Sequence, residues 1–297
     1  TDKTLTITNG TTLISPVADV TGKTISGTSG GTGLTLTSLA QASNLGNISA
    51  DITIADGNGI AGNSAFTGSL GSGTLTIGDE FTTSAAKAHG KKIAGAGAIT
   101  ITDLESQTSG SDKNADLNEI TNTGTVTVTT GAAITSFTGT YPATDFTLSG
   151  AYAVTNNNTS GITSAKTMTI SNDTTFNAPA ADVTGKTITT VDGTINITAL
   201  NGTANADMLL ITESNSGTVT VTTSADVTFT GKFPNADFEL KSDGGSHTVT
   251  SNGSTITTGK TLTANNTTFT APAADVTGKT ITTSNSPINV TSLDATA

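Results

Sequence analysis

The chain has 297 residues, a formal charge of −11 and a pI near 4.3, with no Cys, no Trp and no Arg. Twelve basic residues, all Lys, are too few to neutralise a run of phosphates, which excludes nucleic acid as a partner. The missing Cys excludes disulfides, thiol catalysis and Cys-ligated metals, and no run of about 18 apolar residues exists to span a membrane. Threonine takes nearly a quarter of the positions. With Val and Ile it suits a pleated, half-buried surface, so the composition points to an all-β protein.

In chain order, "KTLTITNGTT" (3–12) is an alternating strand pattern. The heptapeptide "ADVTGKT" follows at 18–24 and returns at 181–187 and 274–280. Its ending resembles that of a phosphate-binding loop, but such a loop needs a glycine five residues earlier. Val17, Ala180 and Ala273 stand there, so nucleotide binding is rejected. "DGNG" (56–59) and "GDE" (78–80) offer clustered oxygen ligands. "AKAHGKKIAGAGAITITDL" (86–104) is a degenerate copy of the 181–200 segment, and "DKNADLNEI" (112–120) is the one candidate for a short helix. "GTVTVTT" (124–130) recurs at 217–223, "YPATDFTL" (141–148) corresponds to "FPNADFEL" (233–240), and "NDTTFNAPA" (172–180) to "NNTTFTAPA" (265–273).

These recurrences define a repeat of about 93 residues, read as 18–85, 86–180, 181–273 and a partial copy 274–297, with 1–17 closing a preceding one. Residues 1–297 are therefore expected to form one continuous array. The chain opens and closes in mid-repeat, with no signal peptide and no initiating Met, and is expected to be a mature or excised segment. Two architectures produce such a period: tandem β-sandwich domains of immunoglobulin size, or a parallel β-solenoid whose coils group into a higher-order repeat. Shorter echoes marked by Asp19, Asp51, Asp116, Asp145, Asp182, Asp207, Asp237 and Asp275 run at roughly 25–38 residues, except for one double-length gap between Asp51 and Asp116. The first repeat is shorter by about one such echo. A solenoid can lose a coil and restack, whereas a sandwich losing strands loses its core, so the solenoid is favoured.

In this reading Ile195, Ile197, Val219 and Val221 point inward, and Asn196, Thr198, Thr218, Thr220 and Thr222 outward. Phe137, Phe146, Phe176, Phe229, Phe238 and Phe269 fill the core. Each recurring Asp either hydrogen-bonds backbone at a corner, with Lys four residues on offsetting its charge, or helps gather a hard cation such as Ca²⁺. Asp56, Asp79, Asp182, Asp207, Asp237 and Asp275 are the calcium candidates; the Gly-Gly-x-Gly-x-Asp nonapeptide is absent, and no other cofactor is implied. His89 and His247 sit at unrelated repeat positions, and the carboxylate pairs Asp79/Glu80 and Asp103/Glu105 have no long insertion around them to build a cleft. No catalytic motif is present, and the chain is not expected to be an enzyme.

Acidic, Cys-free, Thr-rich segments such as "ITITDL" and "GTVTVTT" resemble the β-strand-repeat regions of bacterial surface-layer proteins and large secreted adhesins. The resemblance implies an extracellular structural protein, often calcium-dependent in assembly and often exported by a dedicated system. The functional expectation is self-assembly with copies of itself into a surface layer, sheath or filament. The alternative is an adhesin stalk or binding protein, with cell-surface glycans as partners. Ice binding is a lesser alternative, because unequal coil lengths argue against a flat, regular threonine face.

Overall fold

The computed structural model describes residues 4–8, 10–27, 33–55, 65–109, 112–158, 161–163 and 165–292. The chain is an all-β solenoid of parallel coils, about 13 turns among the described residues. Contacts divide it into two compact units, 1–132 with 138–147, and 133–137 with 148–297.

The first unit runs β1 (Leu5–Ile7), β2 (Leu13–Ser15), α1 (Val17–Val20), β3 (Ile25–Gly27), β4 (Leu34–Leu36), β5 (Ile52–Ile54), β6 (Leu75–Ile77), β7 (Phe81–Ser84), α2 (Ala85–Ala88), β8 (Ile93–Gly95), β9 (Ile99–Thr102), β10 (Thr108–Ser109), β11 (Asp112–Lys113) and β12 (Val126–Thr129). Here β1 pairs with β3, the order β2-β4-β5-β6-β8 makes a second sheet, and β7-β9-β12 a third. The segment 112–120 is not the helix its sequence suggested. It enters as β11 and then turns, burying Ala115, Leu117 and Ile120 against the core.

Strands β13 (Ile134–Phe137) and β14 (Phe146–Ser149) follow, the latter crossing the division between units. The second unit continues with β15 (Ala153–Asn156), β16 (Thr167–Ile170), β17 (Thr175–Pro179), α3 (Ala180–Val183), β18 (Thr187–Thr190), β19 (Thr194–Thr198), β20 (Ile211–Glu213), β21 (Thr218–Thr223) and β22 (Val227–Phe229). It closes with β23 (Phe238–Ser242), β24 (His247–Ser251), β25 (Thr261–Asn265), β26 (Thr267–Pro272), α4 (Ala273–Val276), β27 (Thr280–Ser284) and β28 (Ile288–Thr291). Its sheets are β16-β18-β20, the long ladder β13-β15-β17-β19-β21-β23-β25-β27, and β22-β24-β26-β28.

Alternation sets the core, because successive side chains of a strand point to opposite faces. Ile195, Ile197, Val219 and Val221 are buried, while Asn196, Thr198, Thr218, Thr220 and Thr222 reach the surface. The six phenylalanines Phe137, Phe146, Phe176, Phe229, Phe238 and Phe269 are all buried. Phe233 stands beside Phe229 (4.5 Å between centroids) and Phe238 (5.3 Å), an aromatic pile that fills the wide turns.

The turns are shorter than the Asp echoes. On the long ladder Phe176 pairs with Ile195, Ile195 with Val219, Val219 with Phe238, Phe238 with Leu262 and Leu262 with Ile281, so turn length alternates between 19 and 24 residues. These unequal lengths do not disturb the sheet. From β15 to β27 pairing stays residue-for-residue and the extra residues leave at the corners, while β13 meets β15 with a bulge between Ile134 and Phe137.

The 93-residue period is not a whole number of turns. Along the ladder, four turns carry Ile195 to Ile281, 86 residues on. The sequence copy of Ile195 is Ile288, seven residues further and across a corner, in a different sheet. Likewise β17 lies in the long ladder but its copy β26 does not, and β18 lies with β16 and β20 while its copy β27 joins the long ladder. The first unit does the same: the strand after α1 pairs with β1, and the strand after α2 with β6. Each copy of the repeat is displayed one sheet further round the coil.

Substituting Leu240, fully buried in β23, by Ala should cost about 2–5 kcal/mol. Thr220→Ala, outward on the neighbouring strand, should change stability by no more than about 0.5 kcal/mol. Urea midpoints of the two variants check this; equal effects would contradict the inside–outside assignment.

Candidate functional site: the solenoid corners

The heptapeptide that opens "ADVTGKT" is a corner. Pro16, Pro179 and Pro272 precede α1, α3 and α4 with extended backbone, and Ser84 does so before α2. Proline suits this place because it starts a helix without an amide to satisfy. One turn later Thr21, Thr184 and Thr277 each return a hydroxyl to the carbonyl four residues back, at 2.8–2.9 Å. The following Gly22, Gly90, Gly185 and Gly278 lie in the left-handed region at φ 62–72°, ending each helix after four residues.

That conformation turns the glycine amide away from its own helix. Gly22 N–H donates to the Asn44 carbonyl, Gly90 to Asp116 and Gly185 to Asp207, each at 2.8 Å and each one turn ahead. The motif is a hook between turns. Sequence reasoning missed these helices, although Pro, then Asp, then Gly at the right offsets was the signal that could have found them.

The recurring aspartates act at the same corners. Asp207 Oδ1 accepts from Leu209 N (3.2 Å), a local turn, and its Oδ2 binds Lys232 Nζ at 2.7 Å. Lysine and the Leu209 amide hold the Asp207 carboxyl below its ordinary pKa, against a smaller opposing effect of burial. Asp237 Oδ1 accepts from Thr261 N (2.7 Å) one turn on, while its own N–H donates to Glu213 Oε2 (3.1 Å) one turn back. Glu213 Oε1 also holds Lys260 Nζ at 2.7 Å, so one carboxylate ties three successive turns. Asp275 Oδ2 accepts from Ser251 Oγ (2.5 Å) and Gly253 N (2.9 Å) of the preceding turn. Asp182, 4% exposed, accepts from Asn156 Nδ2 at 2.8 Å.

Of the calcium candidates, Asp56 lies outside the described residues, and Asp79 makes no described side-chain hydrogen bond. Asp182, Asp207, Asp237 and Asp275 sit at separate corners, each on a protein donor. Among the described residues no three His, Asp or Glu side chains converge. At two of these corners the lysine four residues on has another partner: Lys241 binds Glu239 (2.6 Å) and Lys279 donates to Thr258 Oγ1 (2.7 Å).

The two histidines hold corners as well. His89 takes the place of the capping threonine after α2, and its Nδ1 accepts from Asp116 N at 2.9 Å. His247 Nδ1 is 3.8 Å from the Asp226 carboxylate. Of the acidic pairs, Asp103 Oδ2 accepts from Thr102 Oγ1 (2.9 Å), and Glu105 accepts from Thr130 Oγ1 (2.8 Å) and Gly131 N (3.0 Å).

On the long ladder the outward residues form columns. Thr194 and Thr218 hydroxyls meet at 2.9 Å, Thr263 and Thr282 at 2.9 Å, and Asn196 Nδ2 donates to Asn177 Oδ1 at 2.9 Å. A shallow hollow of about 300 Å³ interrupts the columns between Thr218, Thr220, Asp237, Glu239, Thr261 and Thr263. Its two carboxylates are engaged with Thr261 N and Lys241. With that geometry in view, comparison with known proteins adds nothing: no protein-family model, curated protein or solved structure matches the chain.

Two outcomes test the corner chemistry. A methyl group at Gly185 would meet no atom within 4 Å, so Gly185→Ala should cost only the left-handed strain, about 1–2 kcal/mol, read from the urea midpoint. The lowered Asp207 pKa contributes stability that is present above the unfolded pKa and lost as pH falls through the folded one. Asp207→Asn should therefore flatten the loss of stability as the pH falls below about 4, measured by denaturation across the acid range.

Proposed function

We propose that the chain is an extracellular structural solenoid whose role is to assemble with copies of itself into a layer, sheath or filament. The observation that supports it is where the polar side chains point. The carboxylates, amides and hydroxyls that could build a site bind a neighbouring turn instead, at Glu213, Asp237, Asp275 and Asp182. Outside the corners much of the strand surface is threonine and asparagine in ladders, with Glu239 and Lys241 paired on β23, a surface suited to lateral repetition. Such a chain is a spacer or a tile rather than a catalyst, and its place is the cell surface, with no membrane-spanning helix among the described residues.

Charge shapes how assembly responds to solution. At −11 the copies repel one another, and salt screens this within about 10 Å at 0.1 M. Calcium, in this reading, works by bridging acidic corners of neighbouring molecules, with Asp79 the candidate whose carboxylate is free of described bonds.

Negative-stain microscopy and light scattering of the purified chain should show filaments or sheets that grow from low salt to about 0.15 M salt and again with millimolar Ca²⁺. Chelator should disperse the calcium-dependent part. Particles that stay monomeric across all these conditions would overturn the assembly reading and leave the adhesin stalk.

A further inference from the structure

On the outer face of the long ladder three groups of complementary reactivity meet. Glu239 and Lys241 project from β23 on the same side, and Asn265 of β25 is the register partner of Lys241. Glu239 holds both: its Oε2 lies 2.6 Å from Lys241 Nζ, and its Oε1 accepts from Asn265 Nδ2. An amine and a carboxamide one turn apart therefore sit on the two oxygens of a single carboxylate. The facing residues of the neighbouring strands are neutral: Thr220 and Thr222 on β21, and Thr263 on β25. The charge next along β23 is Asp237, which accepts from Thr261 N.

The repeat supplies a comparison inside the same chain. Asn265 corresponds to Asn172, and Glu239 and Lys241 correspond to Thr147 and Ser149. In that copy Asn172 Nδ2 donates directly to Ser149 Oγ. The fold thus brings the positions of Lys241 and Asn265 together in both copies. Only the later copy fills them with a nucleophile, an acyl group and a proton carrier.

We propose that Lys241 and Asn265 join in an isopeptide bond, with Glu239 as the catalytic group. Glu239 takes one proton from the lysine ammonium, and the freed Nζ attacks Asn265 Cγ. The Cγ–Nδ2 bond then breaks. Nδ2 leaves with its own two hydrogens, the proton carried by Glu239 and the one that Nζ sheds, so the products are a secondary amide and an ammonium ion. No oxidant or co-reactant is needed. Positioning drives the step, since both reactants are held on one carboxylate instead of meeting by diffusion. The lysine and glutamate side chains are 41% and 30% exposed, so water competes for the proton, and the bond forms slowly and faster in alkaline solution. It ties β23 to β25 across a full turn, constraining the unfolded chain as any cross-link does, and it removes one positive charge. This goes beyond the assembly reading and does not depend on it.

Intact-mass spectrometry of the full chain, incubated at neutral pH and near the ordinary lysine pKa of about 10, tests this. The mass should fall by one ammonia, sooner at the higher pH. Trypsin should then fail to cut after Lys241 and release residues 233–260 joined to residues 261–279. Lys241→Arg should abolish the mass loss, and Glu239→Gln should slow it at least about a hundredfold, with circular dichroism confirming that both variants fold. A mass that stays unchanged under both conditions overturns the proposal. So does an ammonia loss that persists in Lys241→Arg, which would be an asparagine closing on its own backbone. Cross-linking of Glu239→Gln at the unmodified rate would overturn the role given to Glu239.

Discussion

Everything in this molecule hangs on the parallel backbone ladder between successive turns. A turn of about twenty residues cannot bury its apolar side chains alone. It does so only when another turn lies above and below it in register, and one residue of slip would turn every inward Ile and Val outward. The ladder therefore fixes both the hydrogen bonds and the core in one act. The corner contacts serve it: the glycine hooks and the Glu213–Asp237–Thr261 relay supply partners for the amides that the ladder leaves unpaired where strands end.

That division of labour explains how turns of 19 and 24 residues can stack on one another. The strands carry the register. The corners absorb the difference, and Asn172, Asn215, Asn266 and Asn285 in the left-handed region let the chain reverse sharply with little strain. Acidic residues gather at these same corners because a carboxylate is a strong acceptor for a stranded amide. The acidity of the sequence is, at Asp237, Asp275 and Glu213, an architectural property.

Much of the fold was legible in the sequence. Alternation in "TINITAL" and "GTVTVTT" gave the inward and outward residues, and the repeat favoured a solenoid over sandwiches. The turn length was not legible, because the Asp markers that suggested it sit at corners of different kinds. Asp182 and Asp275 belong to helical corners, Asp207 to an ion-paired turn and Asp237 to the start of a strand, so the intervals between them mix turn length with corner position. The partners of Lys241 and Lys279 were misjudged for a related reason. Spacing along the chain proposes a neighbour four residues away, whereas in a stack the nearest neighbour is a full turn off, as Lys232 is to Asp207 and, two turns away, Lys260 is to Glu213. The helical hooks were missed because four residues are too few for any periodicity.

The mismatch between an 86-residue run of four turns and a 93-residue repeat has a consequence for how the second unit finds its fold. Tandem copies of near-identical sequence invite strand exchange, since a segment can dock in the slot of its twin. Here the scale of the sequence and the scale of the stack act like the two rules of a vernier. The twin of β17 is four turns away and round a corner, so sliding along the axis alone never superposes them; a swap must also rotate the chain by one sheet, which breaks every ladder it has made. A protein built of echoes is thus kept from mistaking one echo for another.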